Sequence, residues 1–332
     1  MQLLRKIAFP ISLIYALVVH LRNYLFDIGL FKSSSFETPI ICVGNLSVGG
    51  TGKTPMIEYL VSYFKEKKKV AVLSRGYRRK STGYTLTNQE SKVEDVGDEP
   101  LQIFSKHPDI SVAVDKDRRN GIQKLQKSIA PDIILLDDAF QHRKVRPDFS
   151  ILLTAYDNLY MNDWYLPTGN LRDSKKEAKR ADIIVVTKCP DQLGKEKQNE
   201  IIRTLNPKSQ QAVLFSSLSY NENLRGKNAS MVLNDLIGKH ITLVTGIASP
   251  KPLVEYLDNK GIQVEHLQFK DHHFFSSTEI QLFNTKEYVL TTEKDFVRLK
   301  GKVENLFYIS VKHQFLGDGA SILEKAVNAI TP

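Results

Sequence analysis

The stretch Ile41–Pro55, "ICVGNLSVGGTGKTP", runs an apolar strand into a glycine-rich turn and a Gly-Lys-Thr triplet. Glycine at such a turn lets successive backbone N–H groups face phosphate oxygens at the positive end of the following helix. Gly52, Lys53 and Thr54 fit the end of the pattern G-x-x-x-x-G-K-[ST]. Ser47 stands where the first glycine is usual, while Gly49, Gly50 and Thr51 complete the loop. In this reading Lys53 reaches the β and γ phosphates of a nucleoside triphosphate, and Thr54 supplies a ligand to Mg²⁺.

Outward from the loop, short β-branched runs alternate with stretches of helical length. "TPIICVGN", "KVAVLS", "DISVAV", "PDIILLDD", "FSILLTA" and "ADIIVVTK" read as strands, and 116–129 reads as one of the helices between them. That alternation predicts an α/β fold of the P-loop NTPase type, with a doubly wound, mostly parallel sheet. A second series, "KHITLVTG", "IQVEHLQF", "EYVLTT" and "NLFYISV", follows a polar patch at 221–230 and predicts a smaller α/β domain. The expected division is 1–33, 34–218 and 219–332.

The 332 residues, 42% hydrophobic and 25% charged, suffice for two packed cores. A formal charge of +9 favours an anionic partner: nucleic acid, a lipid surface or a phosphorylated small molecule. Two cysteines, Cys42 and Cys189, provide neither a disulfide framework nor a zinc cluster, which suits a reducing compartment.

Before the loop, the chain carries the uncharged run 7–21, between Arg5 and Lys6 on one side and Arg22 on the other. A spanning helix needs about 20 apolar residues, so the run is short for one. No small-x-small cleavage site follows to make it a signal peptide. An amphipathic helix from Pro10 to about Phe31, lying in a membrane interface, is expected; a helix packed on the protein's own core has the same periodicity.

"DIILLDDAFQHR" ends a strand in Asp137 and Asp138, at the sheet edge where ligands of parallel sheets collect. One carboxylate suits Mg²⁺ or its water, and its neighbour suits Lys53 or an acceptor; Gln141 and His142 lie just beyond. "TKCPD" and "TEKD" imitate the guanine-reading N/TKxD motif imperfectly, and no aromatic platform accompanies the basic charge as single-stranded nucleic acid requires. A small-molecule kinase fits better, with a nucleotide-dependent binding or metal-delivery protein of the G-protein type as the alternative. Its acceptor could meet Arg75, Arg78, Arg79 and Lys80 of "LSRGYRRK". Asp98 of "VGDEP" is expected to cap a helix starting near Pro100. It could instead pair with His272 of "KDHHFF" to accept a hydroxyl proton.

Taken in order, "GNLSVGGTGKTP", "SRGYRR", "GDEP", "DDAFQHR", "LPTGNLRD", "DHH" and "TEKD" resemble the tetraacyldisaccharide 4'-kinases, the lipid A 4'-kinases of Gram-negative bacteria. The resemblance implies ATP and Mg²⁺ as cofactors and a lipid A disaccharide precursor as acceptor. It also implies a seat on the cytoplasmic face of the inner membrane, with no nucleic acid and no obligate protein partner. It makes Asp98 the base with His272 its orienting partner, Asp137 a metal ligand, and Asp138 an acid of the transfer site. Gln141 is matched to the nucleotide, and Arg75, Tyr77, Arg78 and His142 to the acceptor. Arg172 would stabilise the charge of the transferring phosphoryl group. Two departures stand out: Ala139 replaces the usual Gly, and Asp173 replaces the Glu that ends "LPxGxLRE", which shortens its reach to metal.

Overall fold

The computed structural model describes residue 5, residues 7–226 and residues 230–331. Lys6, expected to flank the N-terminal helix, lies outside them. The strands of the first half are β1 Ile40–Asn45, β2 Val70–Ser74, β3 Thr85–Leu86, β4 Ser111–Val114, β5 Ile133–Asp137, β6 Phe149–Ala155, β7 Ile183–Thr187 and β8 Ala212–Tyr220. Those of the second half are β9 Asn223–Gly226, β10 Ser230–Val232, β11 Ile241–Thr245, β12 Val264–Gln268, β13 Tyr288–Thr292, β14 Leu306–Ile309 and β15 Val311–Phe315.

A nine-stranded sheet has the order β15-β8-β7-β6-β1-β5-β2-β4-β3. Its members from β8 to β4 run parallel, and only the edges β15 and β3 are antiparallel. Helices cover both faces, so a central strand is apolar on both sides: Ile40 and Cys42 of β1 enter one core, Ile41 and Val43 the other. Each such side chain stabilises by about 1.5–3 kcal/mol, which makes β1 and β5 a rigid floor for what their carboxyl ends carry. The second sheet, β10-β9-β14-β13-β11-β12, has a core of its own around Leu243, Leu253 and Leu290.

The expected unit 219–332 is not contiguous. β8 continues to Tyr220, the chain crosses into the second sheet, and a single residue, Ser310, separates β14 from its return as β15. Val311 then pairs with Tyr220, and the helix Gly319–Asn328 packs Leu323 and Val327 beneath the first sheet. A crossing this short leaves no linker composition to read, and "VKHQF" alternates like any half-exposed edge strand.

The N-terminal helix spans Phe9–Asp27, with Pro10 in its first turn. It stops short of Phe31 because Ile28 caps it and Gly29 adopts φ +77°, the left-handed conformation that ends helices. Its sidedness is inverted relative to a core-packed helix. Ser12 and Asn23 are buried, while Ile14, Leu17 and Leu21 are 56–69% exposed. Polar side chains hold it: Ser12 Oγ donates to Thr168 Oγ1 at 2.8 Å, and the Tyr15 hydroxyl to the Arg172 carbonyl at 3.0 Å. Among the described residues this is the one helix with the length and apolarity to cross a membrane.

Candidate active site

The loop after β1 turns on Gly49, φ +120°, and Gly52, φ +82°, conformations that L side chains rarely adopt. The helix Lys53–Phe64 starts directly behind it. Asn45 Nδ2 donates to Thr51 Oγ1 at 2.8 Å, and Thr187 Oγ1 at the end of β7 donates to the Thr51 carbonyl at 3.0 Å. The "LPTGNLRD" segment runs alongside: Val48 N donates to the Asn170 carbonyl, 2.8 Å, and Arg172 N to the Leu46 carbonyl, 2.9 Å. A phosphate loop held from both sides is preorganised, so it need not be ordered when ligand arrives. Ser47 Oγ is buried without a partner in this arrangement.

At the end of β5, next to β1, the acidic pair meets the loop. Lys53 Nζ stands 3.8 Å from Asp138 Oδ1, and Arg172 grips both Asp138 oxygens, with Nη1 at 2.9 Å from Oδ2. Burial raises the Asp138 carboxyl, but Lys53 and Arg172 outweigh it and hold it down at about 2. Asp137 has no exposed surface. Its Oδ2 accepts from Ser74 at 3.0 Å, and its Oδ1 has no partner. Burial, reinforced by Glu99 and Asp138, pushes it up to about 7. A buried carboxylate with one free oxygen could hold a divalent cation, and Thr54 offers a hydroxyl in the first turn of the helix after the loop. Among the described residues no group of three or more His, Cys, Asp or Glu could hold a metal alone.

Other expected residues lie elsewhere. Asp173 is fully buried, and its oxygens take Asn23 Nδ2 at 2.7 Å, Arg22 Nη2 at 3.0 Å and the Ser174 amide at 2.8 Å. Its carboxylate thus ties the N-terminal helix to the "LPTGNLRD" segment. Arg22, which closes the uncharged run, is half-buried and reaches the same carboxylate. Gln141 Nε2 donates to the Asn45 carbonyl, 2.6 Å, the same oxygen that Arg172 approaches at 3.5 Å, and so braces β1 at the phosphate loop. His142 Nε2 is buried without a partner, and burial together with nearby Arg118 lowers the ring to about 4.

Asp98 is not a helix cap. Gly97 holds that position, and Asp98 is the first residue of the helix Asp98–Lys106. Its carboxylate reaches the second domain. Arg298 donates from Nε to Oδ1 at 2.7 Å and from Nη2 to Oδ2, and His272 Nδ1 lies 2.5 Å from Oδ2. Burial raises Asp98, but His272 and Arg298 prevail and bring it to about 2. Because a carboxylate only accepts, His272 carries its proton on Nδ1, and Nε2 then accepts from Lys294 Nζ at 3.1 Å. His272 sits at φ +62°, which sets its ring beside Tyr77, centroids 5.7 Å apart. The Arg78 guanidinium stacks over Tyr77 at 5.5 Å, and both side chains are exposed, as is Arg75. Arg79, read as part of the same basic loop, instead braces the backbone of Gly83 and Val114.

A cavity of about 440 Å³ opens from Gly50, Gly52 and Thr54 toward Lys188 and Tyr220, and is closed by Leu253 and Thr292 of the second domain. It lies on the β7–β8 side of the loop, opposite the acids of β5. Sequence reasoning missed Asn45, Glu99, Arg118 and Arg298. Asn45 and Glu99 stand inside motifs already quoted, whereas Arg118, which donates to the Asp138 carbonyl at 3.4 Å, and Arg298 occupy ordinary helical sequence.

The Tetraacyldisaccharide-1-P 4'-kinase family profile matches residues 4–330. A tetraacyldisaccharide 4'-kinase of Flavobacterium johnsoniae is 49% identical over 322 residues, covering 95% of this chain and 94% of that protein. One of Bacteroides thetaiotaomicron is 43% identical over 316 residues, covering 89% and 83%. The crystal structure of LpxK from Aquifex aeolicus in complex with ATP superposes with a TM-score of 0.83 at 31% identity, covering 99% of this chain and all of that one. With the profile matching nearly the whole chain and relatives of this identity covered almost end to end, the chain belongs to the tetraacyldisaccharide-1-P 4'-kinase family.

Proposed function

We propose that this protein transfers the γ-phosphoryl group of ATP to the 4'-hydroxyl of a tetraacylated glucosamine disaccharide 1-phosphate, a late step of lipid A biosynthesis. The observation that carries the reading is the convergence of Lys53 and Arg172 on Asp138, beside the half-satisfied buried Asp137, at the mouth of a phosphate loop. Thr54 and Asp137 would hold Mg²⁺, which when bound supplies charge neutralisation at the phosphates. Lys53 neutralises charge growing on the β–γ bridge, and Arg172 steadies the moving phosphoryl group. The nucleoside lies in the cavity on the β7–β8 side.

Arg298 already neutralises Asp98, so acceptance of the hydroxyl proton falls to His272, which Asp98 orients through Nδ1. Lys294, now on Nε2, has to give way when the acceptor enters. Tyr77 and Arg78 beside His272, with Arg75, form the acceptor-side wall and suit its sugar and 1-phosphate. His142 is assigned to the acceptor as well. The outward apolar face of the N-terminal helix supports a seat on the cytoplasmic face of the inner membrane, because an acceptor with four acyl chains stays in the bilayer.

Incubation of purified protein with γ-labelled ATP, Mg²⁺ and the disaccharide lipid in vesicles tests this reading. Label in the lipid at the 4' position supports it; nucleotide hydrolysis without lipid labelling overturns it.

A further inference from the structure

His313 takes no part in the chemistry above, yet it is buried on β15 with both ring nitrogens engaged. Its Nε2 lies 2.9 Å from the Gly52 carbonyl, and its Nδ1 lies 2.9 Å from Ser216 Oγ on β8. A carbonyl only accepts, so Nε2 carries the hydrogen. Burial holds the ring neutral, at about 4, which leaves Nδ1 bare to accept from the Ser216 hydroxyl. Ser216 therefore fixes the tautomer that Gly52 needs.

The Gly52 carbonyl belongs to the same peptide unit as the Lys53 amide. In a planar trans peptide C=O and N–H point in opposite directions, so tying one aims the other. Two donors hold the Gly52 oxygen, the Met56 amide of the helix at 3.1 Å and the His313 ring, and with the oxygen so held the unit directs the Lys53 N–H the opposite way, into the phosphate loop. Gly52 has φ +82°, and a Cβ on it would meet the His313 ring at 3.1 Å, so residue and ring are fitted to one another.

We propose that His313 is a positioning residue for the triphosphate: together with the Met56 amide it fixes the orientation of the Gly52–Lys53 peptide and thereby aims one of the amides that bind the β-phosphate. The inference rests on the kinase reading. Because β15 follows β14 after one residue, the strand that returns from the second domain is also the one that trims the phosphate loop.

His313→Phe keeps the ring and removes the donor, whereas His313→Gln can restore an N–H to the carbonyl. Loss of one such hydrogen bond predicts about tenfold weaker ATP binding and a matching rise in KM for His313→Phe, with His313→Gln closer to wild type. AMP, which lacks the β-phosphate, should displace a fluorescent nucleotide equally well from all three proteins. Unchanged ATP affinity in a folded His313→Phe overturns the proposal. Equal losses for ATP and AMP, or no recovery in His313→Gln, also overturn it by reducing His313 to packing. Should His313→Phe not fold, Ser216→Ala carries the test, with a smaller ATP-selective loss expected and no loss contradicting the proposal. Wild-type protein that binds ATP but labels no lipid would defeat the kinase reading while leaving this comparison intact.

Discussion

Arg298, in the second domain, grips both oxygens of Asp98, in the first, and so joins the two cores at an edge where Val297 also packs on Val96 and Leu101. The far end of the Asp98 helix is closed the same way, with Lys106 Nζ 2.7 Å from Glu293 and 2.5 Å from Glu58. Removing one partner of a buried pair strands the other charge. Arg298→Met should therefore destabilise the protein by about 3–5 kcal/mol, and adding Asp98→Asn should recover part of that. Denaturant unfolding of the two single variants and the double variant measures it; strictly additive losses would show that the pair is uncoupled.

Lys53→Ala should lower kcat by about a hundredfold or more while the protein keeps its melting temperature, because the ammonium acts on charge that appears in the transition state. Asp138 loses a partner in that variant, but Arg172 still holds it. Steady-state kinetics settle the matter, and near-normal kcat would remove the phosphate-loop assignment.

For the proton step, Asp98→Asn and His272→Ala should each abolish most turnover, and the double variant should be little worse than either. Losses that multiply would mean that the two residues serve separate ends.

The buried histidines should make the fold sensitive to acid well before the paired carboxylates Asp98 and Asp138 titrate. Burial holds His107, His142 and His313 at about 4, against an ordinary 6.5. The native state refuses protons that the unfolded chain accepts, so their contribution is complete above pH 6.5 and lost as pH falls toward 4. His107 has both ring nitrogens buried and unpartnered, so His107→Leu should cost little at pH 7 and make the acid slope shallower by one proton. Stability measured at half-unit pH steps reports the slope, and an unchanged slope would exclude His107 from it.

At the N-terminus, exposed apolar side chains can be changed without touching the polar face that anchors the helix. Ile14→Gln, Leu17→Gln and Leu21→Gln together should abolish vesicle binding and raise KM for embedded lipid, with KM for ATP unchanged. Deleting the helix is a different experiment, since it uncovers Asp173 and removes the Tyr15 bond from the Arg172 carbonyl. Full vesicle binding by the triple variant would refute the membrane role.

The sheet was legible because strands buried on both faces are continuous apolar runs, and the phosphate loop because its glycines leave few conformations to choose from. β8, "AVLFSSLSY", escaped notice: serines at Ser216 and Ser217 interrupt it, and they are tolerated because Ser216 serves His313. Asp173 and Gln141 stand in quoted motifs, but their bonds to Asn23 and to the Asn45 carbonyl are not legible there, since a motif gives proximity and not direction. Arg298 could not be read at all. Its partner lies 200 positions away, and a salt bridge between domains leaves no periodic trace.

The return of β15 also bears on how the chain is made. During synthesis β8 emerges long before the strand that covers it, and the whole second domain comes between. For that interval the half of β8 from Ser216 to Tyr220 lacks its antiparallel partner, and the core beneath it lacks Leu323 and Val327. An uncovered edge of that length is a template for pairing with other chains. A product clipped or stalled before Val311 should therefore associate edge to edge with its own kind, even though every residue of the phosphate loop is already in it.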